Sequence, residues 1–361
     1  MEAKLFSGTG VIKPSGSSLL VLLTSLLTGF ALLLDWTNQQ GLALTIPLLT
    51  CALVSGGIGY WIVPLLQRLK AGQVMQDDGL KSHLKKAGTP TMGGIFFIPV
   101  AVALALFWSG FSPMVLAVSA VTLAYMSIGW IDDWKILQLQ SNKGISPRMK
   151  LALQIIVAAA FCIWVFLSQP ASITSIALPL GLTLPLGIVF WIIAGFVLVA
   201  ESNSTNITDG VDGLASGTCA IALLGLAALI SANTPDLALF CACLSGSCLG
   251  FIVHNRNPAK VFMGDTGSLA LGGALAAVGI LSQNLWGLFI ISGIFFIESL
   301  SVIAQVSYYK ATKDSNGKGK RLLRMAPIHH HLELCGWSET QIVGAFYLIS
   351  FGLAILGILF A

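Results

Sequence analysis

Residues 114–131 read MVLAVSAVTLAYMSIGWI and are followed directly by Asp132 and Asp133. An uncharged apolar run of this length is long enough to cross, or nearly cross, a bilayer as a helix. Ten further apolar runs occur, at about 18–34, 42–66, 93–109, 149–168, 184–200, 214–231, 237–254, 267–282, 285–309 and 340–360. The sequence therefore predicts an all-α, polytopic membrane helix bundle.

Composition supports a membrane protein. Of the 361 residues, 56% are hydrophobic and only 9% are charged, whereas soluble domains carry about 25% charged residues. The seven cysteines lie mostly inside apolar runs and form no C-x-x-C pair, so we interpret them as small buried side chains. No long linker, repeat or low-complexity segment interrupts the chain, which predicts one membrane domain over 1–361.

Basic residues are confined to alternate connections. The connections 35–41, 110–113, 169–183, 232–236 and 283–284 contain no Lys or Arg, and the rest of the chain holds all 19. Because positive charge stays on the cytoplasmic side, we expect the N-terminus inside and the C-terminus outside. The acidic clusters at 77–78, 132–133, 209–212 and 265 then all face the cytoplasm.

The first apolar run is short and follows Lys4 and Lys13, a pattern that also fits a cleaved signal peptide. No small-x-small cleavage site precedes Asp35 and Trp36. We therefore expect residues 1–40 to include an uncleaved N-terminal helix.

Two acids end the 114–131 run. Asp132 and Asp133 would oppose the negative end of the helix dipole, so a bound cation, a catalytic role or another compensation is expected. A solvated helix end is the alternative.

A second acidic motif precedes the run at 214. Asn206, Asp209 and Asp212 follow i, i+3, i+6 spacing, which places them on one helical face, and Gly210 would allow a ligand close to the backbone. An N-cap is the alternative, but one cap needs only one acid.

The segment MGDTGS (263–268) opens another helix. Glycines, hydroxyls and Asp265 at a helix start suit phosphate binding by backbone N–H groups or cation binding by the carboxylate, although capping alone would also explain them. The chain has no G-x-x-x-x-G-K-[ST] motif, which disfavours a P-loop ATPase.

Three histidines, His329 to His331, follow a basic segment at 318–324. Side chains of consecutive helical residues diverge by about 100°, so the three cannot share one metal on a helix, but one or two can bind an anionic substrate. A polar amphipathic loop is the alternative. Glu298 and Gln305 share one face of the 285–309 run. We expect them either to line the inner mouth of a site or to form buried hydrogen bonds.

These residue types together favour phosphoryl transfer at the membrane surface. Carboxylate oxygens suit Mg²⁺, whereas soft ligands for zinc or copper are absent from the motifs. Basic and imidazole groups suit phosphates. The position at a bilayer surface predicts that one substrate is a lipid phosphate.

The chain resembles the polyprenyl-phosphate N-acetylhexosamine-1-phosphate transferase superfamily, and within it the phospho-N-acetylmuramoyl-pentapeptide-transferase family. The motifs that carry the resemblance are TPTMGG (89–94), DD (132–133), NITDGVDGL (206–214), VFMGDTGS (261–268) and APIHHHLE (326–333). The resemblance runs from about residue 65 to the C-terminus, and the triple-His motif favours the muramoyl-pentapeptide branch.

The resemblance implies transfer of phospho-MurNAc-pentapeptide from UDP-MurNAc-pentapeptide to undecaprenyl phosphate, with release of UMP and a requirement for Mg²⁺. It implies a bacterial inner-membrane protein of ten helices with a cytoplasmic active site, lipid as its surroundings and no nucleic acid as partner. Whether it forms a homodimer stays open.

Two features depart from the family pattern. The 18–34 run adds an N-terminal helix. The family also places a Lys three residues after the second Asp of the dyad, whereas Lys135 follows Asp133 by two. The role of Lys135 is therefore open, with Lys143 as a substitute.

The resemblance also implies roles. Asp265 and Asp212 are expected to hold the metal, and Asp132, supported by Asp133, to act as base or positioner on the lipid phosphate. The catalytic residues expected are Asp132, Asp133, Asp265 and His330. Those expected to contact substrates are Lys85, Lys86, Thr91, Asn203, Asn206, Asp209, Gly210, Asp212, Asn255, Phe262, Gln305, His329 and His331. Direct attack by the lipid phosphate is favoured over a covalent Asp-phosphosugar route.

Two other functions stay open on sequence alone. One is a related enzyme that uses UDP-GlcNAc. The other is an ion-coupled transporter, although transport sites usually lie near the bilayer midplane and these acids cluster in interfacial loops.

Overall fold

The structure is a computed structural model that describes residues 14–37, 43–69, 88–139 and 144–360. The helices in them are α1 (Gly16–Thr37), α2 (Thr45–Arg68), α3 (Gly94–Trp108), α4 (Pro113–Leu139), α5 (Pro147–Ser168), α6 (Val189–Thr208), α7 (Leu214–Ile230), α8 (Pro235–Asn255), α9 (Gly264–Leu281), α10 (Leu285–Ile291), α11 (Gly293–Ala311), α12 (Ile328–Leu334) and α13 (Glu339–Phe360).

The all-α, multi-pass membrane fold is confirmed, because every predicted apolar run contains a helix. Among the described residues, seven helices are long and apolar enough to cross a membrane, and the number is eight if the bent pair of α10 and α11 is counted as one span. The helices α3 and α7 are apolar but shorter, with 15 and 17 residues. At 1.5 Å per residue they are about 22 and 26 Å long, which is less than the ~30 Å of a hydrocarbon core.

The centre of the bundle is formed by α7, α8 and α9, whose residues are almost all buried, whereas α1 and α5 lie at the periphery. Small residues allow the close approach of neighbouring helices. A Cβ added at Gly272 of α9 would collide with the backbone of α6 around Glu201 and Ser202, and one added at Gly129 of α4 would collide with the backbone at Asp265. The polar ends of α4, α6 and α9 are thereby brought together.

The run at 285–309, predicted as one helix, is broken. The axes of α10 and α11 differ by 70° across Ser292. A Ser–Gly pair at 292–293 stands at the break, and such pairs are a common cause of sharp bends. Hydropathy did not reveal the break because the run is apolar on both sides of it.

The connection at 169–188 contains a two-stranded antiparallel hairpin of β1 (Ser175–Ala177) and β2 (Thr183–Pro185), in which Ile176 pairs with Leu184. At its tip Leu180 is 97% exposed and has a positive φ of 63°. Strands of three residues are too short to produce an alternating pattern, so the hairpin was not predicted.

The first apolar run forms α1, which packs as a member of the bundle. Its buried side chains repeat every four residues, at Leu19, Leu23, Leu27 and Ala31. At its far end the Asp35 carboxylate accepts hydrogen bonds from the backbone N–H groups of Leu44 and Thr45, at 2.6 and 3.0 Å, where α2 begins. This end of α1 is therefore fixed to the start of α2 by specific hydrogen bonds.

Candidate functional site

A polar cavity of about 340 Å³ lies where the ends of α4, α6 and α8 meet the starts of α7 and α9. Its lining is drawn from loops far apart in the chain. The lining residues are Thr91, Asp133, Ile136, Asn206, Asp209, Gly210, Val211, Asp212, Asn255, Phe262, Gly264, Asp265 and His330. The predicted convergence of the acidic motifs is therefore present in the structure.

The segment before α3 is joined to the segment before α9 by backbone hydrogen bonds. The Phe262 N–H donates to the Pro90 carbonyl at 2.7 Å, and the Gly93 N–H donates to the Phe262 carbonyl at 2.9 Å. This short pairing places Thr91 and Phe262 together at the cavity wall.

Asp265 stands in the first turn of α9 between a cation and an amide. Its Oδ2 forms an ion pair with Nζ of Lys150, and its Oδ1 accepts from Nδ2 of Asn206 at 2.7 Å. The Asn206 amide also donates to Oγ of Ser268 at 2.9 Å. Lys150 was not identified from the sequence. A lysine in the first turn of a helix after a basic loop is explained by the cytoplasmic position of that loop and does not by itself indicate a site.

Asp133 caps the N-terminus of α9 from another helix. Its carboxylate accepts from Thr266 N–H at 3.0 Å, Thr266 Oγ1 at 2.6 Å and Asp265 N–H at 3.3 Å. The helix α4 continues six residues beyond the dyad, to Leu139, so the prediction that the two acids stand at its C-terminus was wrong. The charge of Asp133 is compensated by the N–H groups that begin α9. Gly264 fits here because its φ is +71° and a Cβ would collide with the Asp133 carboxylate.

Asp132 is 8% exposed and is not part of the cavity lining. Its Oδ1 accepts from the Ile145 N–H at 2.7 Å, and its carboxyl group lies beside that of Asp265. Gly144 packs directly on the same carboxyl group. The structure places Asp132 next to the cavity, behind Asp265.

Asp209 and Asp212 lie in the turn between α6 and α7. Burial, together with the nearby carboxylates of Asp265, Asp133 and Asp212, raises the pKa of Asp209 to about 8. Asp212 Oδ2 accepts from the Ala259 N–H at 3.0 Å and from Asn257 Nδ2 at 3.1 Å. Carboxylates this close repel one another when ionised, so a cation bound among them would be stabilised.

The three consecutive histidines have three different surroundings, as expected for a helix. His329 is fully buried, and its Nδ1 lies 2.9 Å from Oε2 of Glu298. Its Nε2 has no hydrogen-bond partner among the described residues and adjoins Gly210, where a Cβ would collide with the ring. Only His330 lines the cavity, with its Nδ1 2.7 Å from Oε2 of Glu333.

Besides His329, three described residues that were predicted to contact substrate are held away from the cavity lining. His331 Nδ1 accepts from the Arg324 N–H at 3.2 Å. Gln305 Oε1 accepts from the N–H groups of Leu322 and Leu323, at 3.0 and 2.8 Å. Gln305 therefore anchors the loop before α12, so it and Glu298 follow the hydrogen-bonding alternative rather than lining the mouth of the site.

Asn203 is the third, because its amide donates to Gln154 Oε1 at 2.7 Å, one layer below the cavity. Asn255 does line the cavity, but backbone groups occupy its amide. Its Oδ1 accepts from the Gly213 N–H at 3.0 Å, and its Nδ2 donates to the Val261 carbonyl at 2.9 Å. Asn255 thus joins the two loops that carry the acidic motifs.

Some predicted residues lie outside the described ranges. These are Asp77, Asp78, Lys85, Lys86 and Lys143. Lys135 is described, and it is exposed on α4.

The residues that line the cavity fit a magnesium ion that would take most of its ligands from water and substrate. In the described part of the chain, no three His, Cys, Asp or Glu side chains are grouped to hold a metal. Mg²⁺ usually takes one or two carboxylates and completes its shell with water and substrate phosphates. Asp209, Asp212 and Asp265 all line this cavity and offer hard oxygens to a space large enough for such phosphates.

Comparison with known proteins matches the chain to a family. Residues 115–283 match Glycosyl transferase family 4, and residues 86–98 match the phospho-N-acetylmuramoyl-pentapeptide-transferase signature 1. The chain is 68% identical to the phospho-N-acetylmuramoyl-pentapeptide-transferase of Rippkaea orientalis, over 99% of this chain and 100% of the relative. It is 67% identical to that of Gloeothece citriformis, over 99% of both chains. For the Synechocystis enzyme the identity is 61%, over 95% of this chain and 94% of the relative.

Proposed function

The chain belongs to the phospho-N-acetylmuramoyl-pentapeptide-transferase family, and on this premise we propose that its polar cavity performs that transfer. The reaction moves phospho-MurNAc-pentapeptide from UDP-MurNAc-pentapeptide to undecaprenyl phosphate. Its products are lipid I, an intermediate of peptidoglycan synthesis, and UMP.

The observation that carries this proposal is the cavity itself. It combines the carboxylates of Asp209, Asp212 and Asp265 with an imidazole and an aromatic ring, at the polar ends of membrane helices. Transfer of a phosphoryl group from a water-soluble nucleotide to a lipid requires such a position, because the two substrates meet only at the membrane surface.

Magnesium is the cofactor that we propose, with Asp265 and Asp212 as its protein ligands. When bound, the ion would neutralise charge on the diphosphate and on the transition state. Lys150 would then have a second role, because its Nζ can turn from Asp265 toward a phosphate oxygen within the same cavity.

The acceptor is proposed to react by direct attack. An oxygen of undecaprenyl phosphate forms a bond to the phosphorus that carries the sugar, and the diphosphate bond to UMP breaks. Asp132, beside Asp265, would accept or position the acceptor's proton, while Asp133 keeps the start of α9 in place. Lys85 and Lys86 are proposed to bind the lipid phosphate.

The nucleotide donor is proposed to lie along the 206–212 turn. Phe262 offers a ring for stacking on uracil, and Asn206, Asp209 and Gly210 form the wall beside it. His330, with its Nδ1 oriented by Glu333, would donate from Nε2 to the diphosphate. His329 supports Gly210 from behind.

We place the protein in the bacterial inner membrane with this cavity on the cytoplasmic side. The support is the confinement of all 19 Lys and Arg residues to one set of connections, together with the positive-inside rule. The cytoplasm is also where the nucleotide donor is available.

The test is release of UMP by the purified full chain. We expect release only when UDP-MurNAc-pentapeptide, undecaprenyl phosphate and Mg²⁺ are all present. Turnover of UDP-GlcNAc in place of the muramoyl donor would assign the chain to the rival substrate. Solute flux in proteoliposomes without UMP release would instead indicate a transporter.

A further inference from the structure

The first turn of α1 rests on the loop that follows α8. Gly16 is buried against the backbone of Asn257, and a Cβ added at Gly16 would collide with the Asn257 carbonyl. Next to it, Ser17 Oγ accepts a hydrogen bond from Nε of Arg256 at 3.2 Å. The contact is specific because only a glycine allows this approach.

The loop touched by α1 is the one that holds Asp212. The Asn257 amide donates to Asp212 Oδ2 and to Glu339 Oε2, both at 3.1 Å, and the Ala259 N–H donates to the same Asp212 oxygen at 3.0 Å. Asp212 lines the polar cavity. A continuous set of contacts therefore runs from Gly16 through Asn257 to a cavity carboxylate.

The opposite end of α1 is fixed as well. Asp35 accepts hydrogen bonds from the first N–H groups of α2, and the stripe of Leu19, Leu23 and Leu27 is buried against the bundle. With 22 residues, α1 is about 33 Å long, enough to connect the two faces of the membrane. A shift at Gly16 must accordingly be taken up by the loop rather than by sliding of α1.

We propose that Gly16 and Ser17 are positioning residues of the active site. Their contacts with the 256–259 loop hold it in the position from which Asn257 and Ala259 donate hydrogen bonds to the Asp212 carboxylate. The inference rests on the proposed function, because Asp212 is there a ligand for the cation and a wall of the nucleotide site. The helix α1 thereby becomes part of the catalytic architecture rather than an added membrane anchor.

The first experiment compares Gly16→Ala with Gly29→Ala. Both make the same change in α1, but a Cβ at Gly29 has nothing within 4 Å. Losing one hydrogen bond to Asp212 corresponds to roughly a 3–10-fold weaker interaction. We expect Gly16→Ala to raise the KM for UDP-MurNAc-pentapeptide and the Mg²⁺ concentration for half-maximal activity by about that factor, with kcat changed less than about twofold.

A double-mutant cycle tests whether the effect of Gly16 reaches Asp212 through the loop that contains Asn257. If Gly16 acts through the loop, the double variant Gly16→Ala with Asn257→Ala raises KM and the Mg²⁺ requirement by less than the product of the two single effects, because both changes act on the same Asp212 oxygen. Independent destabilisation would instead multiply the two effects, because separate perturbations add in free energy. Multiplied effects would overturn the proposal, as would a Gly16→Ala enzyme whose two constants equal those of Gly29→Ala.

If Gly16→Ala does not yield folded protein, substitutions of Ser17 test the proposal. Ser17→Ala is then expected to raise both constants about twofold, since the bond lies at the surface, and Ser17→Thr, which keeps the acceptor, is expected to restore them. Equal constants in all three proteins would overturn the proposal. Absence of UMP release from the unaltered chain would refute the proposed function instead, so the two failures are distinguishable.

Discussion

Lys150 is the residue that most changes the interpretation of the site. It lies 115 positions before Asp265 in the sequence, yet it forms an ion pair with that carboxylate inside a group of acids. One positive charge there offsets part of the repulsion among Asp133, Asp209 and Asp265. Sequence patterns predicted the acids because each belongs to a local motif, but they could not predict a partner supplied by a different helix.

Substitution of Lys150 should therefore affect catalysis strongly. Removing one member of a largely buried charge pair leaves the other without compensation, so we expect Lys150→Gln to lower kcat/KM by about tenfold or more. Lys135→Gln, at an exposed position on α4, serves as the matched control and should stay within about twofold. UMP release measures both, and similar activities for the two variants would contradict a role for Lys150.

Substitution of Asp133 should lower stability, whereas substitution of the adjacent Asp132 should lower kcat. Asp133 accepts hydrogen bonds from Thr266 and from the Asp265 N–H. An Asn at this position would replace one accepting oxygen by an NH₂ group, which cannot accept from these N–H and O–H groups. We expect Asp133→Asn to reduce stability by about 1–3 kcal/mol, seen as a lower midpoint for loss of monodisperse protein on heating in detergent. Asp132→Asn should keep the midpoint and lose kcat. Equal midpoints for both variants would mean that the cap on α9 contributes little.

At the scale of elements, the start of α9 depends on a left-handed residue. Gly264 has φ +71° and stands against the Asp133 carboxylate and the Thr91 hydroxyl. The MGDTGS motif predicted a helix start correctly, and it predicted Asp265 as a member of the site. It could not show that its glycine serves packing between α4 and α9, because the other half of that contact is remote in the chain.

Replacing this glycine should damage both stability and activity. We expect Gly264→Ala to cost at least about 1–2 kcal/mol, from the unfavourable φ and the collision with Asp133, and to lower UMP release in parallel. Gly195→Ala makes the same change within α6, where a Cβ meets nothing within 4 Å, and should be neutral. Thermal midpoints in detergent would decide, and a neutral Gly264→Ala would show that the turn relaxes without loss.

Three features were not predicted, each for a physical reason. The helix α12 has seven residues, mostly polar, and lies outside every apolar run. The bend between α10 and α11 arises within one apolar run, where membrane solvation favours apolar residues whether a helix is straight or broken. The β1–β2 hairpin has three-residue strands, which carry too little pattern to be detected. Helix existence was predictable because the bilayer imposes one composition on every span.

The whole molecule is polarised between its two faces. The order of the helices followed from hydropathy, but of the eleven predicted runs only seven form helices long and apolar enough to span, with one further bent pair, among the described residues. The cavity followed from collecting the acidic motifs on one face. The hydrogen-bonding roles of Asn203, Asn255 and Gln305 did not follow, because a polar residue near a site looks the same in sequence whether it binds a ligand or a backbone group.

This polarity can be tested with a native thiol. Cys335 is exposed between α12 and α13, whereas the other six cysteines are buried. We expect a membrane-impermeant maleimide to label Cys335 in inside-out vesicles and not in intact cells. A Leu180→Cys variant that also carries Cys335→Ser, with its thiol at the tip of the hairpin, should show the opposite pattern. Labelling of Cys335 from outside would invert the proposed sidedness.

The shortness of α3 has a consequence for the lipid around the protein. The helix begins at the cavity, after Thr91, exposes Phe107 on its outer side, and falls about 8 Å short of the hydrocarbon thickness. We expect lipids beside it to thin to match, which makes a local depression of the membrane surface at the mouth of the cavity. Within that depression a hydrated sugar nucleotide reaches an isoprenoid phosphate without leaving water, and unusually thick membranes would resist forming it.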